Sequence, residues 1–187
     1  MPRRMSRLGV AVCALTALLA AATPSGIWLD VPFVKQEKDG CGAASIAMVM
    51  QYWLQQRGET ALAAENAVDA PAIQRALYSK VGHGIYASDL EQYFQQRGFR
   101  TFAFRGELAD LKQHLEKGRP LIVALKPASG AALHYVVVTG LDWESKLVVV
   151  NDPAQRKLLK QDQASFEREW SAAGKWTLLA LPQPEAH

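Results

Sequence analysis

QEKDGCGAASIAMVMQYW, residues 36–53, is the stretch on which the reading of this chain turns. It passes from a polar turn, Gln36-Glu37-Lys38-Asp39-Gly40, into a run that starts at Cys41. In that run Ala44, Ile46, Ala47, Met48, Val49, Met50, Trp53 and Leu54 are apolar nearly all round. A surface helix carries one apolar stripe, whereas a helix apolar on every side is buried at the centre of a domain. Arg57-Gly58 supplies its stop. Cys41 therefore opens a buried helix, where unpaired backbone N–H groups and the helix dipole favour negative charge and so a thiolate. Gly40 and Gly42 leave room beside it for a substrate backbone.

Upstream, Ile27 to Val34 reads as a short extended segment that Pro32 confines to an edge. Downstream, residues 59–83 hold short helical stretches with Pro71 in a first turn. Ser88-Asp89-Leu90-Glu91 is a capping box that opens a helix through Gln96, stopped at Gly98. Thr101–Phe104 is a strand, Glu107–Lys117 a helix with Leu108, Leu111 and Leu115 on one face, and Pro120–Leu125 a buried strand. His134–Leu141 and Lys146–Asn151 form a hairpin across Asp142-Trp143-Glu144-Ser145. A short helix at Phe166–Trp170, a closing strand at Lys175–Leu181 and a tail follow. A helix-rich first half before a run of antiparallel strands predicts an α+β domain.

The hairpin brings two further groups to the thiol. His134 stands at the mouth of its strand, after a Ser129-Gly130-Ala131-Ala132 loop, placed to exchange a proton with Cys41. Asp152 ends the paired strand, and a four-residue link puts the start of one strand opposite the end of the other. Its carboxylate can then orient the imidazole, with Asn151 as an alternative. Gln36, five residues before Cys41, can donate to a developing oxyanion alongside the Cys41 N–H. Taken singly, each has a plainer reading: a buried thiol, a structural histidine, an Asp-Pro turn, a solvated loop glutamine. His83, between two glycines, reads as a surface loop, His114 as an exposed helix position, and His187 is terminal.

Bulk composition narrows the partners. The chain has 187 residues, 49% hydrophobic and 21% charged, the size and make-up of one globular domain. Its net charge of +3 comes from Arg3, Arg4 and Arg7; without them the chain carries 18 residues of each sign. No basic stripe is left for nucleic acid. Residues 1–22 read as a secretory signal, with basic residues, an apolar run from Leu8 to Leu19 and Ala20-Ala21-Ala22 before the cut. That predicts a mature domain over residues 23–187, exported to a periplasmic or extracellular location, without stable membrane insertion. Cys13 falls inside the signal, so Cys41 is the lone thiol of the mature chain. No spaced histidine–carboxylate set predicts a metal, and no glycine-rich loop predicts a phosphate cofactor.

Residues 36–53 resemble the nucleophile helix of the bacteriocin-processing double-glycine peptidases. HYVVVTG at 134–140 and VVVNDP at 148–153 resemble that family's histidine and aspartate strands, and GIYASDLEQYFQQRG at 84–98 its intervening helix. The resemblance, over residues 30–155, implies a papain-like cysteine peptidase fold and thiol chemistry without a cofactor. It implies Cys41 as nucleophile, His134 as base, Asp152 as orienter and Gln36 as oxyanion donor. Gln36 stands one residue closer to the cysteine than in transporter-linked members. The expected partner is a peptide or protein substrate, with an export system as a further associate. A cell-wall-peptide amidase, an acyl transferase and a peptide-binding pseudo-peptidase would share the scaffold.

Overall fold

The computed structural model describes residues 25–58, 68–128 and 132–183. The expectations for the signal, for Cys13, for the loop residues 129–131 and for the terminal His187 lie outside these residues. The order is β1 (Gly26–Trp28), α1 (Cys41–Gln56), α2 (Ala70–Leu77), α3 (Ala87–Gln95), β2 (Phe99–Arg105), α4 (Leu108–Glu116), β3 (Leu121–Leu125), β4 (His134–Asp142), β5 (Leu147–Asn151), β6 (Leu159–Asp162), α5 (Gln163–Ala172) and β7 (Trp176–Pro182).

The strands make one open antiparallel sheet in the order β2-β7-β3-β4-β5-β6, with β1 paired to β4. β3 pairs with β4 from His134 to Val138, and β1 pairs with it from Gly140 to Asp142. Strands at the centre are apolar on both faces, as LIVAL of β3 and VVV of β5 are, because both faces are covered. One face packs Ala124, Tyr135, Val137 and Leu178 against α1, α2 and α3. The other packs Val123, Val136, Val138 and Val150 against Leu111, Leu115, Phe166 and Trp170 of α4 and α5.

The all-apolar reading of α1 is met by this arrangement. Ala43 to Met50 are buried without a break, and the helix stops at Arg57 and a left-handed Gly58. Trp53 packs against the same core and donates its indole N–H to Ala180 O (3.0 Å), tying α1 to β7.

Several expectations are corrected. Ser88 does not cap α3: the helix begins at Ala87, its N-cap Tyr86 makes no side-chain bond, and the capping box forms instead at α4, between Glu107 and Asp110. Asp69 caps α2 by accepting from Ala72 N (3.1 Å), with Pro71 in the first turn. β6, a half-exposed alternation, carried too few apolar residues to stand out. The helices expected at Glu107–Lys117 and Phe166–Trp170 form as α4 and α5 and cover the second face.

Candidate functional site

Cys41 is the first residue of α1, half-buried and a free thiol. Its N-cap, Gly40, has no side chain to consume the first-turn N–H groups, and no acidic residue occupies that turn. The donors and the dipole are thus left to whatever sits at the helix start. α2 holds the approach: Gln74 Nε2 donates to Lys38 O (2.7 Å) and Tyr78 Oη to Asp39 Oδ2 (3.3 Å). The two glycines serve this packing. A Cβ on Gly40 would lie 2.6 Å from Gln74 Oε1, and one on Gly42 would lie 3.2 Å from Ile85 Cβ. The room read from the sequence as space for a substrate is filled by the protein's own side chains.

His134 opens β4, and Asp152 follows the last residue of β5. Asn151 lies opposite Val137, so Asp152 continues toward the His134 end of the pair. His134 Nε2 donates to Asp152 Oδ1 (2.8 Å). Nε2 being engaged, Nδ1 is the nitrogen left for Cys41, which lines the same cavity and favours the charged ring. Burial of the ring opposes its charged form, but the Asp152 hydrogen bond and charge, with a further favourable contribution from Cys41, outweigh it, and the His134 pKa is raised to about 9. Asp152 is 4% exposed. Burial opposes its charge too, but the His134 bond, Ala154 N–H and Gln155 bring its pKa below the usual carboxylate value. Asn151 is not the orienter: its Nδ2 donates to Val31 O (3.0 Å) and Pro32 O (3.3 Å), and its Oδ1 accepts from Leu158 N (2.9 Å). That amide pins the segment after β1 to the sheet.

Cys41, His134, Asp152 and Gln36 line one cavity of about 660 Å³. Gln36 N–H donates to Pro153 O (3.0 Å), joining the loop before α1 to the turn after β5, while its Oε1 is buried without a partner. The opposite wall is the segment Gly82–Ala87, with Leu133 and Tyr135 at the base of β4. His83 is exposed in the turn before Gly84, as the sequence suggested, and at φ +48 it also lines this cavity. Gly82 packs under the ring of Tyr86, whose Cζ would lie 2.9 Å from an added Cβ. His114 is half-buried rather than exposed, with Nδ1 unpartnered beside the Phe104 ring, and burial lowers its pKa. Among the described residues no group of three His, Cys, Asp or Glu side chains is placed to hold a metal. The sequence reading missed Gln155, whose Nε2 lies 2.5 Å from Asp152 Oδ2; a glutamine three residues past an Asp-Pro carries no signal of its own.

Helices on both faces of an open antiparallel sheet, with a cysteine at the start of the central helix facing a histidine on the sheet, define a domain of the papain-like fold. The chain belongs to the Peptidase_C39 like family, whose model matches residues 28–178. Over 145 residues, 78% of the chain, it is 30% identical to the transport/processing ATP-binding protein ComA of Streptococcus pneumoniae, and it spans 18% of that protein's length. Its fold resembles a C39-like peptidase from Bacillus anthracis (TM-score 0.66, 19% identity, 86% of this chain and 99% of that one). It also resembles a double glycine motif protease from an AMS/PCAT transporter, solved with its leader peptide (TM-score 0.63, 23% identity, 83% and 94%).

These relatives correct one expectation. The periplasmic or extracellular location read from residues 1–22 does not stand. The matches include a transport/processing ATP-binding protein, the peptidase domain of a bi-functional ABC transporter and a protease from an AMS/PCAT transporter. No helix among the described residues is long and apolar enough to cross a membrane.

Proposed function

We propose that the chain is a cysteine peptidase that cuts a peptide bond through a thioester acyl-enzyme. The observation that carries the reading is His134, bonded to Asp152 and lining one cavity with Cys41, with its pKa raised to about 9. The ring is then an imidazolium at neutral pH, facing the sulfur at the start of α1. Cys41 Sγ attacks the carbonyl carbon. The Cys41 N–H holds the oxyanion, and Gln36, its amide oxygen enclosed, offers the amide nitrogen as a second donor. As the C–N bond breaks, His134 passes its proton to the leaving amine. Water then attacks the thioester while His134 takes its proton, and the acid product leaves.

The leader peptide held by the transporter-linked relative suggests the substrate class, a leader with a double-glycine motif. The test is incubation with such a peptide and mass spectrometry of the products. Wild-type protein yields two fragments, and Cys41→Ala yields none while keeping its circular dichroism. Cleavage by Cys41→Ala at the wild-type rate would refute the reading.

A further inference from the structure

The turn after β5 is built around the Asp152 carboxylate. Asp152 N donates to Arg156 O (3.2 Å) and Gln155 N donates to Asp152 O (3.0 Å), closing residues 152–156 on themselves. Inside that closure both carboxylate oxygens are occupied. Oδ1 accepts from His134 Nε2 (2.8 Å) and from Ala154 N (2.9 Å); Oδ2 accepts from Gln155 Nε2 (2.5 Å). Two of these donors are fixed by ring and backbone, whereas the Gln155 amide comes from an exposed side chain on the cavity wall. An exposed glutamine has water as an alternative partner, so its use on a buried carboxylate calls for a reason other than burial.

We propose that Gln155 is a positioning residue for the peptidase chemistry, acting through Asp152, an inference that rests on the function proposed above. A carboxylate held at Oδ1 alone can pivot about its Cβ–Cγ bond and carry Oδ1 out of line with the imidazole. Anchoring Oδ2 removes that freedom. Donation from Gln155 also favours the ionised carboxylate, as every hydrogen bond to a charged form does. The Gln155 amide thus keeps Asp152 both aimed and charged, and so extends to lower pH the range in which His134 has its acceptor. The same turn accepts the Gln36 N–H at Pro153 O, so it is anchored on the nucleophile side as well.

The test is the rate of Cys41 alkylation by iodoacetamide from about pH 3 to about pH 10 in wild type, Gln155→Ala, Gln155→Glu and His134→Ala. Ring-nitrogen NMR of His134 accompanies it. Gln155→Glu keeps the size of the side chain and replaces its donor with an acceptor, so it separates donation from packing. Both Gln155 variants are expected to move the acid limb of the profile upward by roughly half a unit or more, the glutamate further, and to broaden the Nε2 resonance. Their circular dichroism is expected to match wild type at neutral pH, because the side chain is exposed and the fold does not rest on it. Profiles that superpose on wild type would overturn the inference, as would a glutamate variant indistinguishable from wild type beside an altered alanine variant. A His134→Ala profile identical to wild type would overturn the peptidase reading itself, and the positioning role with it.

Discussion

At the scale of single residues, the His134–Asp152 pair makes a pH signature whose sign follows from its two shifts. The His134 pKa is raised above its unfolded value, so its contribution to stability is complete below about 6.5 and fades as pH climbs through the folded value. The Asp152 pKa is lowered, so its contribution is present above about 3.9 and lost on acidification. The measurement compares the chain with and without Asp152→Asn, unfolded in urea. The cost of the substitution is expected to be about 1–3 kcal/mol near pH 5–6. It should shrink toward pH 9 and again toward pH 3. A cost independent of pH would mean that the pair is a neutral hydrogen bond. Three of the four candidate positions were legible because each stands at an element boundary, where periodicity changes: Cys41 a helix start, His134 a strand start, Asp152 the residue after a strand end; Gln36 was read only from its distance to Cys41. Gln155 was not, because its role depends on a side chain folding back within a turn, and turn geometry leaves no periodic trace.

At the scale of elements, β4 is the member that organises the site, and it carries a bulge. Val138 pairs with Val150 and Gly140 with Val149, so Thr139 is the extra residue. Its hydroxyl donates to Val149 O (3.3 Å), and its carbonyl accepts Leu29 N (2.7 Å), which fastens the segment after β1. Gly140 has no room for a side chain: an added Cβ would lie 2.6 Å from Ile27 O and 2.7 Å from Trp28 Cβ. Gly140→Ala is therefore expected to cost about 1–3 kcal/mol in urea unfolding and to speed exchange of the Leu29 amide. It should leave the Cys41 alkylation rate within about twofold, because β1 borders the far end of β4 from His134. Unchanged Leu29 exchange would show that the strand absorbs the methyl by shifting. The helices and the central strands were readable because fully buried segments are apolar without interruption. The bulge and β6 were not: a bulge is one residue of slack in an otherwise valid alternation, and β6 is an edge with little to bury.

At the scale of the whole molecule, the site is divided between two layers. Cys41 rides on α1, while His134 and Asp152 ride on the sheet, and Ile46, Ala47 and Met50 of the helix share one core with Tyr135 and Val137 of β4. Within the site, the Gln36–Pro153 backbone bond joins the loop before α1 to the turn after β5. The distance from nucleophile to base is thus a property of the core beneath it. A close-packed core yields in a single step rather than by gradual expansion. In urea, loss of His134-dependent Cys41 alkylation and the change in Trp170 fluorescence, read as the difference from a Trp170→Phe variant and reporting the fully buried far face, are expected to share one midpoint. The two probes lie on opposite sides of the sheet, so coincidence would mean that both cores open together. Alkylation failing at lower urea, with fluorescence still native, would mean that α1 lifts from β4 while the α4–α5 face stays closed. The C39-like domain would then have a native-like state in which the nucleophile and its base are parted.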